Sequence, residues 1–144
     1  MVDEVYDFAK AVSAKDLKEV FDHSEFHGLF KRRNNFLLGD KFLIIKVSRN
    51  KIRPFYGFGK HLLDLFNILT EEGRSYFFVA LVSSQSGWVL SKAEILSQIS
   101  NGSISYSETQ KQYKINNYNL KDHHSFTSID GFLRKIGHTI SQSI

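Results

Sequence analysis

The chain has 144 residues and a formal net charge of +4, which is the size of one ordinary domain with a single core. Its 42% apolar content includes 13 Phe and 6 Tyr, enough large side chains to fill that core without disulfides or metals. The chain has no cysteine, which excludes disulfides and thiolate zinc sites, so we expect a reduced, cytoplasmic protein without metal or other cofactor. We interpret residues 1–144 as one domain, with a helical segment at 1–24 and a barrel-like core and C-terminal helix at 25–144.

The N-terminal third is predicted to hold helices followed by strands. Val5, Phe8, Ala9 and Val12 share one helical face within residues 3–12. Ser13 and Asp16 resemble a capping signal, which predicts that a helix restarts and runs through Phe21. The sequence "FLLGDKFLIIKV" is rich in β-branched and aromatic residues, and it predicts one or two strands that enter the core.

The middle of the chain is predicted to form a helix and a hairpin. Gly57 and Gly59 are typical of a turn, and the helical spacing after it involves Leu62, Leu65, Phe66 and Leu69. The sequence "SYFFVALV" predicts a buried strand, "SSQSG" a turn, and "WVL" a short return strand.

The C-terminal third begins with the clearest local signal in the sequence. Ser91 and Glu94 form a capping box, which predicts a helix over 91–99 with Leu90 and Ile95 in apolar contact beside it. The sequence "KQYKINNYNL" predicts a strand, and a short helix is predicted to end at Gly137. This order of elements predicts an α+β fold with a small, curved, mostly antiparallel sheet, an open pseudobarrel flanked by short helices.

Positive charge is concentrated in residues 31–60. This segment has nine Lys and Arg against one acid, Asp40, so its net charge is +8, whereas residues 1–25 have seven acids and three lysines. Such a density of like charge is typical of a surface that meets a polyanion. An ordinary solvated surface is the alternative interpretation.

The composition of this segment favours DNA as the polyanion. Arginine and asparagine side chains match the guanine and adenine edges in the major groove, which assigns base contacts to Arg32, Arg33, Asn34 and Asn35. Lysines and arginines near a strand end can hold phosphates, which assigns phosphate contacts to Lys31, Lys46, Arg49, Lys51, Arg53 and Lys60. Phe55, Tyr56 and Phe58 add flat aromatic surfaces beside the charge. A role as core residues or loop anchors explains these three side chains equally well.

Other motifs give weaker signals. The D-x-K triplet at Asp16 and Lys18 resembles half of a restriction nuclease site, but it lies on a predicted helix where such nucleases need a strand. His23 and His27 share a helical face without a visible third ligand, and His123 and His124 are predicted to lie in a polar turn. "YGFGKHL" lacks the Walker pattern, and no nucleophile motif is present, so we expect no catalytic site.

The order of these motifs resembles a known family. The arm "KRRNN", the strand "KFLIIKVSRNKIRPFYG" and the hairpin "YFFVALVSSQSGWVLSKAEI" before a capped helix resemble the N-terminal DNA-recognition domains of McrB-like restriction systems of the LlaJI type. Those domains have a fold similar to the plant B-three DNA-binding pseudobarrel. The resemblance covers about residues 25–120, and the acidic N-terminal helices fit it less well.

The resemblance implies a bacterial defence protein that grips the major groove of double-stranded DNA with two arms, while a nucleotide-hydrolysing motor domain and a nuclease subunit cut. The early arm then matches Lys31 to Asn35, and the late arm matches Ser84, Gln85 and Ser86. The alternatives are a reader of modified or flipped bases that uses Trp88, and a small metal-dependent nuclease that uses Asp16 and Lys18.

Overall fold

The computed structural model describes residues 4–16, 35–39, 41–48, 52, 55–60, 67, 75–116, 119–121 and 124–137. Within these ranges the α-helices are α1 (Glu4–Ala11), α2 (Lys92–Ser100) and α3 (Ile129–Lys135). The strands are β1 (Lys15–Asp16), β2 (Asn35–Leu38), β3 (Lys41–Val47), β4 (Phe55–Phe58), β5 (Ser75–Leu81), β6 (Gly87–Ser91), β7 (Ser105–Ser107), β8 (Gln112–Asn116) and β9 (Ser125–Phe126).

The described strands form two open sheets, and neither sheet is closed. The larger sheet has six strands in the order β1-β2-β3-β5-β6-β9, and the smaller has three in the order β4-β8-β7. Every pairing is antiparallel except that of β3 with β5. The predicted α+β class with a mostly antiparallel arrangement and short helices is confirmed, although the strands are divided between two sheets rather than one.

Two core clusters lie on opposite faces of the six-stranded sheet, because side chains alternate along each strand. The inter-sheet cluster takes Phe42 and Ile44 from β3 and packs them against Tyr56, Phe58 and Ile115 of the small sheet. On the other face, the helix-side cluster combines Leu43 and Ile45 of β3 with the helices α1 and α3. The described residues therefore form three layers. Helices α1 and α3 cover one face of the six-stranded sheet, and the three-stranded sheet and α2 cover the other.

The predicted N-terminal helix is confirmed, and it is an integral part of the fold. Val5, Phe8 and Ala9 of α1 are buried in the helix-side cluster. The Phe8 ring contacts that of Phe132 on α3 edge to face, with centroids 4.8 Å apart. The segment 1–24 therefore shares its core with strands of the segment 25–144.

The capping box on α2 is confirmed in both directions. The Glu94 backbone N–H donates to Ser91 Oγ at 3.2 Å, and the Ser91 N–H donates to Glu94 Oε1 at 3.0 Å. Leu90 and Ile95 beside the cap are both fully buried in the inter-sheet cluster. The strands of "FLLGDKFLIIKV", the β5–β6 hairpin, the strand at 112–116 and the last helix are confirmed as well.

Two local predictions are wrong. Ser13 does not restart a helix: it has φ +63°, and the chain then enters strand β1 at Lys15, which pairs with Leu37. Gly57 lies within strand β4 rather than in a turn, because Gly57 pairs with Lys114 of β8. The predicted helix of Leu62, Leu65, Phe66 and Leu69, and the pair His23 and His27, lie outside the described residues.

Candidate nucleic-acid interface

The carboxyl ends of β3 and β5 lie side by side, because these two strands are parallel and in register. Val47 pairs with Leu81, and Lys46 pairs with Ala80 one residue earlier. Ser48 and the turn after Leu81 therefore leave the sheet at the same edge. We call this part of the molecule, residues 46–48 and 81–86, the β3–β5 end.

The turn between β5 and β6 is held by serine side chains. Backbone N–H groups of Val82 and Ser83 both donate to the Ser86 carbonyl, at 2.9 Å and 3.2 Å. Ser83 Oγ lies 2.6 Å from Ser86 Oγ and accepts the Gln85 backbone N–H at 3.2 Å. Ser84 and Ser86 are half-buried and Gln85 is exposed, so the Gln85 amide is presented to solvent from a fixed turn.

Ser83 has a positioning role that the prediction of a late arm at Ser84 to Ser86 missed. A serine whose hydroxyl accepts a backbone N–H two residues later is a known turn motif, and the sequence "SSQS" contains this signal. The sequence analysis used only the capacity of these side chains to bind bases.

Two hydrogen bonds attach strand β4 to the β3–β5 end. The Phe55 N–H donates to Ser48 Oγ at 3.1 Å, and the Tyr56 hydroxyl donates to the Leu81 carbonyl at 2.8 Å. Strand β4 therefore begins beside the point where β3 ends. Arg49, Lys51 and Arg53 lie in the sequence between Ser48 and Phe55, and they are outside the described residues.

The early arm connects to the sheet close to the same end. Lys31, Arg32, Arg33 and Asn34 lie outside the described residues, and they directly precede Asn35, the first residue of β2. Asn35 pairs with Ile44, two residues before Lys46. Asn35, which follows the early arm in the sequence, and the β5–β6 turn therefore lie on strands that flank β3 on either side.

Asn35 itself has its amide inside the protein. The residue is only 4% exposed, and its Oδ1 accepts a hydrogen bond from the Tyr76 hydroxyl at 3.2 Å. Burial raises the pKa of Tyr76 well above its ordinary value, so this hydroxyl remains a donor. We therefore leave Asn35 out of the base-contact set and treat it as the anchor of the arm.

Tyr56 and Lys46 bring ionisable side chains to the β3–β5 end. Burial, and then the negative charge of Glu4, raise the pKa of Tyr56, whose hydroxyl lies at the Leu81 carbonyl. Lys46 is half-buried on the face of β3 that carries Phe42 and Ile44.

Lys60 and Trp88 lie apart from this arrangement. Lys60 follows the opposite end of β4, where its Nζ stands 4.5 Å from the centre of the Tyr106 ring. Trp88 lies in strand β6 as predicted, and its half-buried ring packs against the inter-sheet cluster. A pocket for a flipped base at Trp88 would compete with this packing.

A separate cavity of about 190 Å³ lies beside the capping box, lined in part by Glu94, His124 and Lys135. His124 lies in the predicted turn, since its backbone N–H donates to the Lys121 carbonyl at 2.9 Å. Its side chain is only 6% exposed, however, and its Nε2 lies against Glu94 Oε2. Burial alone raises the pKa of Glu94, but hydrogen bonds from Ser91 and the neighbouring His124 outweigh it and lower that pKa. The pair joins α2 to the chain before β9, and His123 lies outside the described residues.

The signals for chemistry remain limited. Asp16 lies on strand β1 and not on the predicted helix, which is the position that a restriction-type nuclease site needs. Lys18 of the same D-x-K triplet lies outside the described residues. Across the described ranges, no group of three or more His, Asp or Glu side chains could hold a metal ion. In the same ranges no helix is long and apolar enough to cross a membrane.

Comparison with protein-family models, curated proteins and solved structures gave no match to this chain. The resemblance to McrB-like recognition domains of the LlaJI type therefore stays a prediction.

Proposed function

We propose that this protein is a sequence-specific reader of double-stranded DNA that works within a restriction assembly and has no catalytic activity of its own. One observation supports this most: the turn of the late arm lies near one end of the six-stranded sheet, together with Asn35, Ser48 and Phe55, which flank the early arm and the basic stretch in the sequence.

The spacing of the attachment points suits the major groove. The strands β2, β3, β5 and β6 are neighbours, and adjacent strands lie about 4.8 Å apart. The start of β2 and the β5–β6 turn are two to three strand spacings apart, or roughly 10–14 Å. The major groove is about 12 Å wide, so one arm at each attachment point can reach its base edges.

The proposed roles follow from the side-chain chemistry. Gln85, with Ser84 and Ser86, reads bases from the turn, while Arg32, Arg33 and Asn34 read them from the early arm. The cations Lys31, Lys46, Arg49, Lys51 and Arg53 hold phosphates and set the register on the duplex. Cutting is left to a motor domain and a nuclease partner in the cytoplasm.

The experiment is a selection of bound duplexes from a randomised pool, followed by titration against the selected duplex and a scrambled one. Arg33→Lys keeps the charge but removes the bidentate fork of the guanidinium. We expect it to cost about 1–3 kcal/mol on the selected duplex and almost nothing on the scrambled one. Failure of the pool to converge on any sequence would reject sequence-specific recognition.

A metal-dependent nuclease is the second candidate, and the position of Asp16 on a strand favours it. Incubation of plasmid DNA with the protein and Mg²⁺ or Mn²⁺ separates the two functions. A reader leaves the plasmid intact while shifting it on a gel, whereas cleavage that Asp16→Asn abolishes would establish the nuclease instead.

A further inference from the structure

The small sheet has one face in the core and one face toward solvent. Tyr56, Phe58 and Ile115 point into the inter-sheet cluster. Because side chains alternate, the intervening positions of β4, β8 and β7 lie on the outer face. They are Phe55, Gly57, Gln112, Lys114, Asn116, Ser105 and Ser107.

An exposed aromatic ring and a lysine lie side by side on this face. Phe55 is 38% exposed, and Lys114 Nζ stands 5.3 Å from the centre of its ring. Next to Phe55, Gly57 leaves the strand without a side chain, and the Gln112 amide lies across it where a Cβ would otherwise be. Hydrogen-bonding groups and a lysine therefore lie beside a partly exposed aromatic ring on this face.

The charge of the surroundings fits an anionic partner. The described charged residues of the small sheet and its flanks are Lys60, Lys111 and Lys114 against Glu108. A protein partner that covered one ring would also have to desolvate lysine and glutamine side chains. A nucleic-acid strand instead offers a base for the ring and a phosphate for the ammonium group.

We infer that this outer face holds an unpaired stretch of DNA, with a base stacked on Phe55 and a phosphate at Lys114. Gln112 and the two serines of β7 supply hydrogen bonds to the same strand. The Phe55 backbone N–H donates to Ser48 Oγ at the β3–β5 end, so this outer face adjoins the proposed duplex interface. The inference therefore rests on the proposed function and adds a second surface, which holds a strand separated from the duplex.

The test is fluorescence anisotropy of a labelled 15-nucleotide oligo(dT) and of a labelled duplex, each titrated with the full chain at fixed salt. Stacking on an aromatic side chain is worth a factor of roughly 5 to 150 in affinity per base. We expect Phe55→Leu to lose that factor on oligo(dT), Lys114→Gln to weaken it several-fold, and Phe55→Tyr to retain binding. Both losses should be less than about twofold on the duplex.

Matched controls lie on and near α2. Leu96 is 39% exposed, like Phe55, so Leu96→Ala tests for a general effect of removing surface apolar area. Lys121 is an exposed lysine beside α2, so Lys121→Gln tests for a general effect of charge. Neither control should change oligo(dT) binding by more than the small loss that one distant charge causes.

The outcomes distinguish the two surfaces. Oligo(dT) binding that depends on Phe55 and Lys114, in a chain that does not bind the duplex, supports this inference and rejects the proposed function. Equal losses on both substrates would place Phe55 in the duplex interface and overturn the inference. Oligo(dT) binding that neither variant changes would also overturn it. Should Phe55→Leu fail to fold, as judged by circular dichroism, the Lys114→Gln and Phe55→Tyr results decide.

Discussion

Gln85 offers the sharpest test of the β3–β5 end, because its backbone and side chain have different tasks. The backbone N–H is bound to Ser83 Oγ, whereas the side chain is exposed at the tip of the turn. Gln85→Ala should therefore leave the turn folded and remove only the amide. An amide that binds adenine in a bidentate manner contributes about 1–3 kcal/mol of discrimination, which corresponds to a factor of roughly 5 to 150 in affinity.

Ser83→Ala is the matched variant, because it removes the hydroxyl that holds the turn and leaves Gln85 in the sequence. It abolishes the acceptor for the Gln85 N–H and the contact with Ser86 Oγ. We expect loss of specific binding here too, together with a destabilisation of about 0.5–1.5 kcal/mol that Gln85→Ala does not show.

The assay is a pair of titrations for each variant, against the selected and scrambled duplexes at one salt concentration, with urea unfolding alongside. The reasoning predicts that Gln85→Ala loses affinity for the selected duplex alone. If both duplexes lose equally, or neither does, Gln85 does not read bases and the turn is not an arm.

Three further predictions address charge, packing and pH. With about five to seven phosphate contacts, log affinity for a duplex should fall against log salt with a slope of roughly −4 to −6. Lys51→Ala should reduce the magnitude of this slope by about one unit on every sequence. A slope near zero would exclude a phosphate interface. A Cβ at Gly87 would overlap the Ala80 carbonyl oxygen and lie 2.9 Å from Leu81 Cα, so Gly87→Ala should lower stability in urea by about 1–3 kcal/mol. Gly57→Ala meets only the movable end of Gln112 and should cost less, and the opposite ranking would refute this account. The pKa of Glu94 is lower in the folded protein than its ordinary 4.5, so its contribution to stability is present at neutral pH and is lost as pH falls below that value. Glu94→Gln should flatten the decline of the urea midpoint between pH 6 and pH 3, and an unchanged decline would mean that other carboxylates cause it.

Local patterns predicted the elements whose causes are local. The capping box at Ser91 and Glu94 specifies its helix through two hydrogen bonds within four residues, and α1 follows from apolar spacing alone. The hairpin was predictable because "SSQSG" separates two apolar runs. The short strands β1, β7 and β9 were not predicted, since two or three residues carry no periodicity and are strands only through their partners.

Non-local pairing explains what the sequence could not predict. Nothing near Gly57 indicates that β8, more than fifty residues later, will pair with it and convert a glycine turn signal into a strand. Similarly, the polar neighbours of His124 suggest a turn, and only the position of α2 brings Glu94 to its imidazole. Asn35 was assigned to bases for its amide, which the tertiary fold instead places against Tyr76.

The parallel pairing of β3 with β5 has the largest functional consequence. An antiparallel partner would have placed the β5–β6 turn at the Lys41 end of β3, away from Lys46 and Ser48. The parallel register of Val47 with Leu81 puts the turn beside the cationic end of β3 and lets Tyr56 and Phe55 fasten β4 to the same place. Lys46 and a polar turn that are separate features of the sequence thereby become neighbours, and the titrations of Gln85→Ala test whether this end of the sheet reads bases.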